Sequence, residues 1–335
     1  MKAVLPVIVF AISLFGAASF IARALPSAPV PQVSEKLAHF AAHRDEYDTL
    51  FIGSSRTFRQ ILPSIFDPLM AAGGQPARSF NFGIDAMFSP EDAFVAEQIF
   101  ALRPRRLRRV FIEVSRFNSE FGAQAPATLR ARHWHDFRRT ALLVRDILPL
   151  EKREKLRDPS RWANACNHAR LFLDRALNLG DGARLLEPMR GAAPPAPEWA
   201  PGALGDGAEP YTAETEIAEE KREAFDKGLA LLKTGGVRVR PLQPAPLQSI
   251  AETIRRVRAI GAEPVLFIAP TATAVIHSPA GQVGAPILDF SDPHRWPALF
   301  DPANRHDYAH LNAPGARIFS RVFAEQVLQL SQASR

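Results

Sequence analysis

The chain has 335 residues, 47% hydrophobic and 23% charged, which allows one sizeable domain with an insertion and argues against disorder or a fibrous repeat. Its formal charge of +6 comes mostly from arginine, but zinc-ligand spacing, aromatic-basic RNA motifs and long basic helices are all missing, so nucleic acid is not an expected partner. The one cysteine, Cys166, makes an intramolecular disulfide impossible and reads as a half-buried helix residue.

The N-terminus carries the first organised signal. Lys2 precedes an uncharged run from Ala3 to Ala22, closed by Arg23. About twenty apolar residues is the length of a membrane span, whereas the core of a cleaved signal is shorter. Residues 1–24 are therefore expected to be a transmembrane signal anchor. The alternative is a secreted chain cleaved near Ala22-Arg23-Ala24. Either reading places the remainder outside the cytoplasm, on the periplasmic side. Residues 25–44 then form a Pro-rich spacer and an entry helix, the latter over Ser34 to Arg44.

From residue 45 apolar runs alternate with helical periodicity. Strands are expected at Asp48 to Gly53, Ser79 to Ile84 and Arg109 to Val114. Helices are expected over Arg56 to Met70, interrupted at Pro63, and over Ser89 to Leu102, with Ser89 as cap and Pro90 in the first turn. Residues 119–246 break the pattern and read as a helical insertion. Its helices are Arg130 to Leu150, Arg161 to Leu179 and Ala213 to Leu232, around a Pro/Gly-rich loop from Gly191 to Pro210. The alternation resumes with a helix from Leu247 to Ile260 capped by Gly261. Strands at Glu263 to Ala269 and Ala285 to Phe290 follow, and a last helix spans Pro314 to Leu330. Near-continuous apolar strands between amphipathic helices predict a three-layer α/β/α sandwich with about five mostly parallel strands.

Ligands of such sheets bind beyond the carboxyl ends of the strands. Gly53-Ser54-Ser55-Arg56 follows the first strand, Asn81 and Gly83 end the second, Ser115 to Asn118 follow the third, and Asp307-Tyr308-Ala309-His310 lies before the last helix. A serine hydroxyl needs a base to take its proton, and a histidine does so when a carboxylate holds its other nitrogen. Asp307 and His310, three residues apart, suit that pairing with Ser55. Asp289, Asp292 and His294 are the rival carboxylate-histidine cluster. His133-Trp134-His135-Asp136 lacks a third ligand and is not expected to bind metal. Arg103 to Arg109 reads as a solvated basic helix end.

These blocks resemble the SGNH (GDSL-like) hydrolases and, more closely, their membrane-anchored acyl-transfer relatives such as alginate O-acetylation and DltD-like proteins. Gly53-Ser54-Ser55 is similar to the first block with serine in the aspartate position. Asn81-Phe82-Gly83 is similar to the second, and Asp307-Tyr308-Ala309-His310 to the last. The third block departs: Val114-Ser115-Arg116-Phe117-Asn118 stands in its place. The resemblance covers roughly residues 45–120 and 250–330. It implies a serine esterase or O-acyltransferase with Ser55, His310 and Asp307 as triad, and Ser55, Gly83 and Asn118 as oxyanion donors. It further implies an acyl ester on a saccharide or cell-envelope polymer as substrate, and neither metal nor organic cofactor. The alternative is a non-catalytic envelope protein that binds a glycan or a membrane acyltransferase.

Overall fold

The computed structural model describes residues 4–24, 29–120, 128–149, 154–179, 199, 205–212, 217–235, 238–273 and 275–333. Contacts divide the chain into two units: residues 1–35 with 118–198, and residues 36–117 with 199–335.

The second unit is built on five parallel strands: β1 (Thr49–Gly53), β2 (Ser79–Gly83), β3 (Arg109–Glu113), β5 (Glu263–Ile268) and β7 (Ile287–Asp289), in the order β2-β1-β3-β5-β7. The expected α/β fold with about five parallel strands is met. Register is fixed by pairing of Phe51 with Asn81 and Phe111, of Phe111 with Val265, and of Phe267 with Leu288. The strands are apolar on both sides because helices lie on both. Phe51, Phe111 and Phe267 meet Phe66 of α4 (Pro63–Ala72) or Phe323 of α11 (Ala313–Ala333), with ring centroids 5.1–5.9 Å apart. Ile52 and Ile112, which alternate with them, line a cavity with Asp92 of α5 (Glu91–Ala101) and Ile250 and Thr253 of α10 (Pro244–Ala259).

Two expected helices are split or shortened for local reasons. The run after Ser55 forms α3 (Ser55–Gln60) and α4, broken at Ile61-Leu62 because Pro63 has no N–H to continue a helix and starts a new one at its first turn. Ser89 does not cap α5: its hydroxyl lies 2.8 Å from that of Ser249 in α10, and Pro90 occupies the cap position without a side-chain bond. Gly261 ends α10 as expected, at φ +80°.

The sequence pattern missed a small parallel sheet of β4 (Arg238–Pro241) and β6 (Val275–Ser278), because β4 is solvent-exposed along its length and shows no apolar period. Helix α9 (Glu219–Gly235), assigned to the insertion on sequence, packs instead into the α/β core through Phe225, Leu229 and Leu232. Most of the loop from Gly191 to Pro210, and residues 213–216, lie outside the described residues.

The first unit contains α1 (Val4–Ala24), α6 (Leu129–Trp134), α7 (Phe137–Ile147) and α8 (Pro159–Ala176). The expected continuous helix from Arg130 breaks at His135-Asp136, where Asp136 accepts from the Arg139 N–H at 2.8 Å as the cap of α7. His135 is buried and pairs with His168 at 2.8 Å; burial, first, holds its imidazole at about 3. Cys166 is exposed on α8, not half-buried.

The N-terminal apolar run does form a helix, α1, with Leu5, Phe10, Ile12, Phe15 and Phe20 exposed. Among the described residues no helix is long and apolar enough to cross a membrane, although several α1 side chains lie outside that description.

Candidate functional site

The site assembles at the carboxyl ends of β1, β2 and β3 and in the loop before α11. β1 ends at Gly53, and the chain turns at once into α3, whose cap is Ser54: its hydroxyl accepts from the Arg56 N–H at 3.2 Å. Gly53 is required by close approach. A Cβ there would fall 2.0 Å from Thr57 Oγ1 and 2.4 Å from Glu113 Oε2.

This turn points the Ser55 hydroxyl at His310. Ser55 Oγ lies 2.8 Å from His310 Nε2, across 255 residues of sequence. His310 Nδ1 lies 2.9 Å from Asp307 Oδ2 and 3.0 Å from Oδ1. The Asp307 carboxylate takes the proton-bearing Nδ1 as its donor, which leaves Nε2 as an acceptor for the serine hydroxyl. The Asp307 Oδ1 also accepts the N–H groups of Ala309 at 2.7 Å and His310 at 2.8 Å. Burial pushes the Asp307 carboxyl up, but the hydrogen bond and charge of His310 and these two N–H groups outweigh it and hold it at about 2. His310 and Asp307 side chains are about one-fifth exposed, so the pair is reachable yet largely shielded.

The rival cluster does not join this arrangement. Asp289 accepts from the N–H and hydroxyl of Ser291, Asp292 accepts from the His294 N–H at 2.8 Å, and His294 is exposed. The Arg103, Arg105, Arg106 and Arg108 side chains are exposed, as read.

Gly83 is the expected second backbone donor of the oxyanion site. Its N–H donates to Asn81 Oδ1 at 2.8 Å and so is occupied. The glycine is there for space: a Cβ would fall 2.2 Å from the Phe58 nitrogen of α3. Asn81 completes this clamp, donating from Nδ2 to the carbonyls of Thr57 and Ile61 at 2.8 and 2.6 Å. Asn118 belongs to the other unit. Ser55 N–H, at the first turn of α3, has no protein acceptor among the described residues.

Three positioning groups escaped the sequence reading. Glu113, buried at the end of β3, accepts from Ser54 N at 2.7 Å, Ser54 Oγ at 3.0 Å and Thr57 Oγ1 at 2.7 Å, and pairs with Arg56 at 2.6 Å. A carboxylate inside an otherwise apolar strand was the one signal that marks it. Arg305, fully buried, donates to the carbonyls of Asp307, Tyr308, Pro270 and Leu299 at 2.7–3.3 Å and so fixes the turn that carries Asp307. Burial pulls its guanidinium down to about 9, which leaves it protonated at neutral pH. Lys36, also fully buried, donates to the carbonyls of Asn81, Gly83 and Gly207 at 2.6–3.1 Å and sits 3.9 Å from the Phe58 ring centroid. Beside His310 stands Tyr211, edge-on at 5.8 Å and stacked on His306 at 4.0 Å. Lys221 Nζ reaches His306 Nε2 at 3.0 Å.

No protein-family model and no curated protein matches this chain. The parallel sheet and its strand order are compatible with an SGNH-like fold.

Proposed function

We propose that this chain is a serine esterase or O-acyltransferase of SGNH type, acting on an acyl ester of a saccharide or cell-envelope polymer outside the cytoplasm. The observation that carries the reading is the continuous contact from Ser55 Oγ to His310 Nε2 and from His310 Nδ1 to Asp307. Ser55 Oγ bonds to the acyl carbon while His310 Nε2 takes its proton. The same proton passes to the leaving alkoxide as the ester C–O bond breaks. Water or an acceptor hydroxyl, deprotonated by His310 in turn, then releases the acyl group from Ser55. Asp307 stays ionised and stabilises the imidazolium.

The location belongs to the same proposal. The exposed Leu5, Phe10, Ile12, Phe15 and Phe20 of α1 suit a helix seated in lipid, with the α/β unit on the periplasmic side. The saccharide or polymer class rests on the resemblance of the Gly-Ser-Ser and Asp-x-x-His blocks alone.

The engaged N–H of Gly83 favours a second reading, in which the pocket binds a glycan or a membrane acyltransferase without turnover. Turnover of short-chain acyl esters by the full chain in detergent separates the two. The esterase reading expects activity that Ser55→Ala removes while thermal melting stays close to wild type. Equal activity in both proteins sinks it.

A further inference from the structure

The tetrahedral oxyanion formed on attack by Ser55 has to meet donors fixed before the reaction starts. Gly83 N–H is spent on Asn81, which leaves Ser55 N–H alone among the backbone donors expected for it. We propose that the Arg56 guanidinium is an oxyanion-stabilising catalytic group of this site, an assignment that rests on the esterase or acyltransferase reading above.

Arg56 follows the nucleophile directly, and its side chain is directed to the end of β3, the strand next to β1, where Nη2 lies 2.6 Å from Glu113 Oε1. Guanidinium carries five N–H donors in a rigid plane. Its remaining donors have no protein acceptor among the described residues, and the side chain is 19% exposed beside a half-buried Ser55. The anchor cannot swing: Glu113 is fully buried and is held at the same time by the Ser54 N–H, the Ser54 hydroxyl and the Thr57 hydroxyl. Fixed donors of this kind need no reorganisation as charge develops on the substrate.

The other arginines near the site are committed elsewhere. Arg59 Nη2 lies 2.5 Å from Asp85, and its Nη1 donates to the Glu209 carbonyl at 3.1 Å. Arg305 is fully buried on four carbonyls. Of these three arginines, Arg56 is the one whose remaining donors have no protein acceptor among the described residues.

The test uses the full chain with Arg56→Ala and Arg56→Lys, the second retaining a cation for Glu113 so that folding is kept. Steady-state turnover of a short-chain acyl ester is read beside the affinity of an alkylboronic acid, whose tetrahedral adduct on Ser55 mimics the oxyanion. Arg56→Ala is expected to lose about 10²–10³ in kcat, with KM moving far less, and boronate affinity is expected to fall in parallel across wild type, Lys and Ala variants. Added guanidinium ion is expected to restore part of kcat in Arg56→Ala and none in Ser55→Ala. Retention of kcat within about threefold in Arg56→Ala, or a fall in kcat with boronate affinity unchanged, overturns the assignment. A wild type that neither turns over ester nor captures the boronate removes the esterase reading itself, and this assignment with it.

Discussion

Glu113 accepts both the backbone N–H and the hydroxyl of Ser54, at 2.7 and 3.0 Å, and so ties the Ser54-Ser55 turn to the central strand β3. The carboxylate is fully buried and its charge is met by Arg56. Removing one partner of a buried ion pair leaves the other uncompensated and costs about 3–5 kcal/mol. Glu113→Ala is expected to lose that much in urea unfolding and to lose ester turnover as well. Ser54→Ala forfeits a helix cap and one hydrogen bond to a charge, and is expected to cost about 1–3 kcal/mol while keeping measurable activity.

Gly53→Ala tests the same turn from the side of space. Its new methyl meets Thr57 Oγ1 and Glu113 at distances that real Cβ atoms do not tolerate. Neither neighbour is a free side-chain end, because the two are hydrogen-bonded to each other at 2.7 Å. The substitution is expected to cost about 1–3 kcal/mol in chemical denaturation and to move Ser55 off His310, so that turnover falls far more than stability does.

Arg305 holds the turn before His310 through four backbone carbonyls and, among the described residues, has no carboxylate in hydrogen-bond contact. Arg305→Met leaves the carbonyls of Asp307, Pro270 and Leu299 without that donor, while Tyr308 keeps the Ala272 N–H at 2.8 Å, at about 1–3 kcal/mol for each carbonyl that water cannot reach. A loss of about 3 kcal/mol or more in urea unfolding is expected. Wild-type stability in this variant would show that the turn is held by other contacts.

Asp307 gives a pH signature with a definite sign. Its folded-state carboxyl is held at about 2, below the ordinary value of 3.8. A depressed carboxylate contributes stability that is fully present above the unfolded value and is lost as pH falls through the folded one. Wild type is therefore expected to lose thermal stability between about pH 4 and pH 2 more steeply than Asp307→Asn, in melts recorded across that range. The same variant is expected to lose turnover by up to about 10⁴ at neutral pH, because an amide does not enforce the donor tautomer at Nδ1.

The five strands of the main sheet and the Ser55, Asp307 and His310 cluster were legible in the sequence because each leaves a local mark. The run from Leu50 to Ile52 is apolar and ends on Gly-Ser-Ser, and Asp307 and His310 lie within one turn of each other. What escaped depends on partners far along the chain. Ser89 looks like a cap until Ser249, 160 residues away, takes its hydroxyl. Gly83 looks like a free donor until Asn81 folds back on it, and the steric reason for the glycine lies in Phe58. Arg305 has no local pattern at all: its four acceptors come from its own turn, from Leu299 and from Pro270. The end of the insertion leaves no clear mark because charged helix α9 hides its core face, Phe225, Leu229 and Leu232, among Glu and Lys residues.

The claim that Ser55 is a nucleophile activated by His310 is tested most directly by mass spectrometry of the full chain after exposure to a fluorophosphonate. One phosphonyl adduct is expected on Ser55 in wild type, none in Ser55→Ala, and labelling in His310→Ala slowed by at least about 10²-fold. An unmodified Ser55 in folded wild type, or equal labelling rates with and without His310, would contradict it.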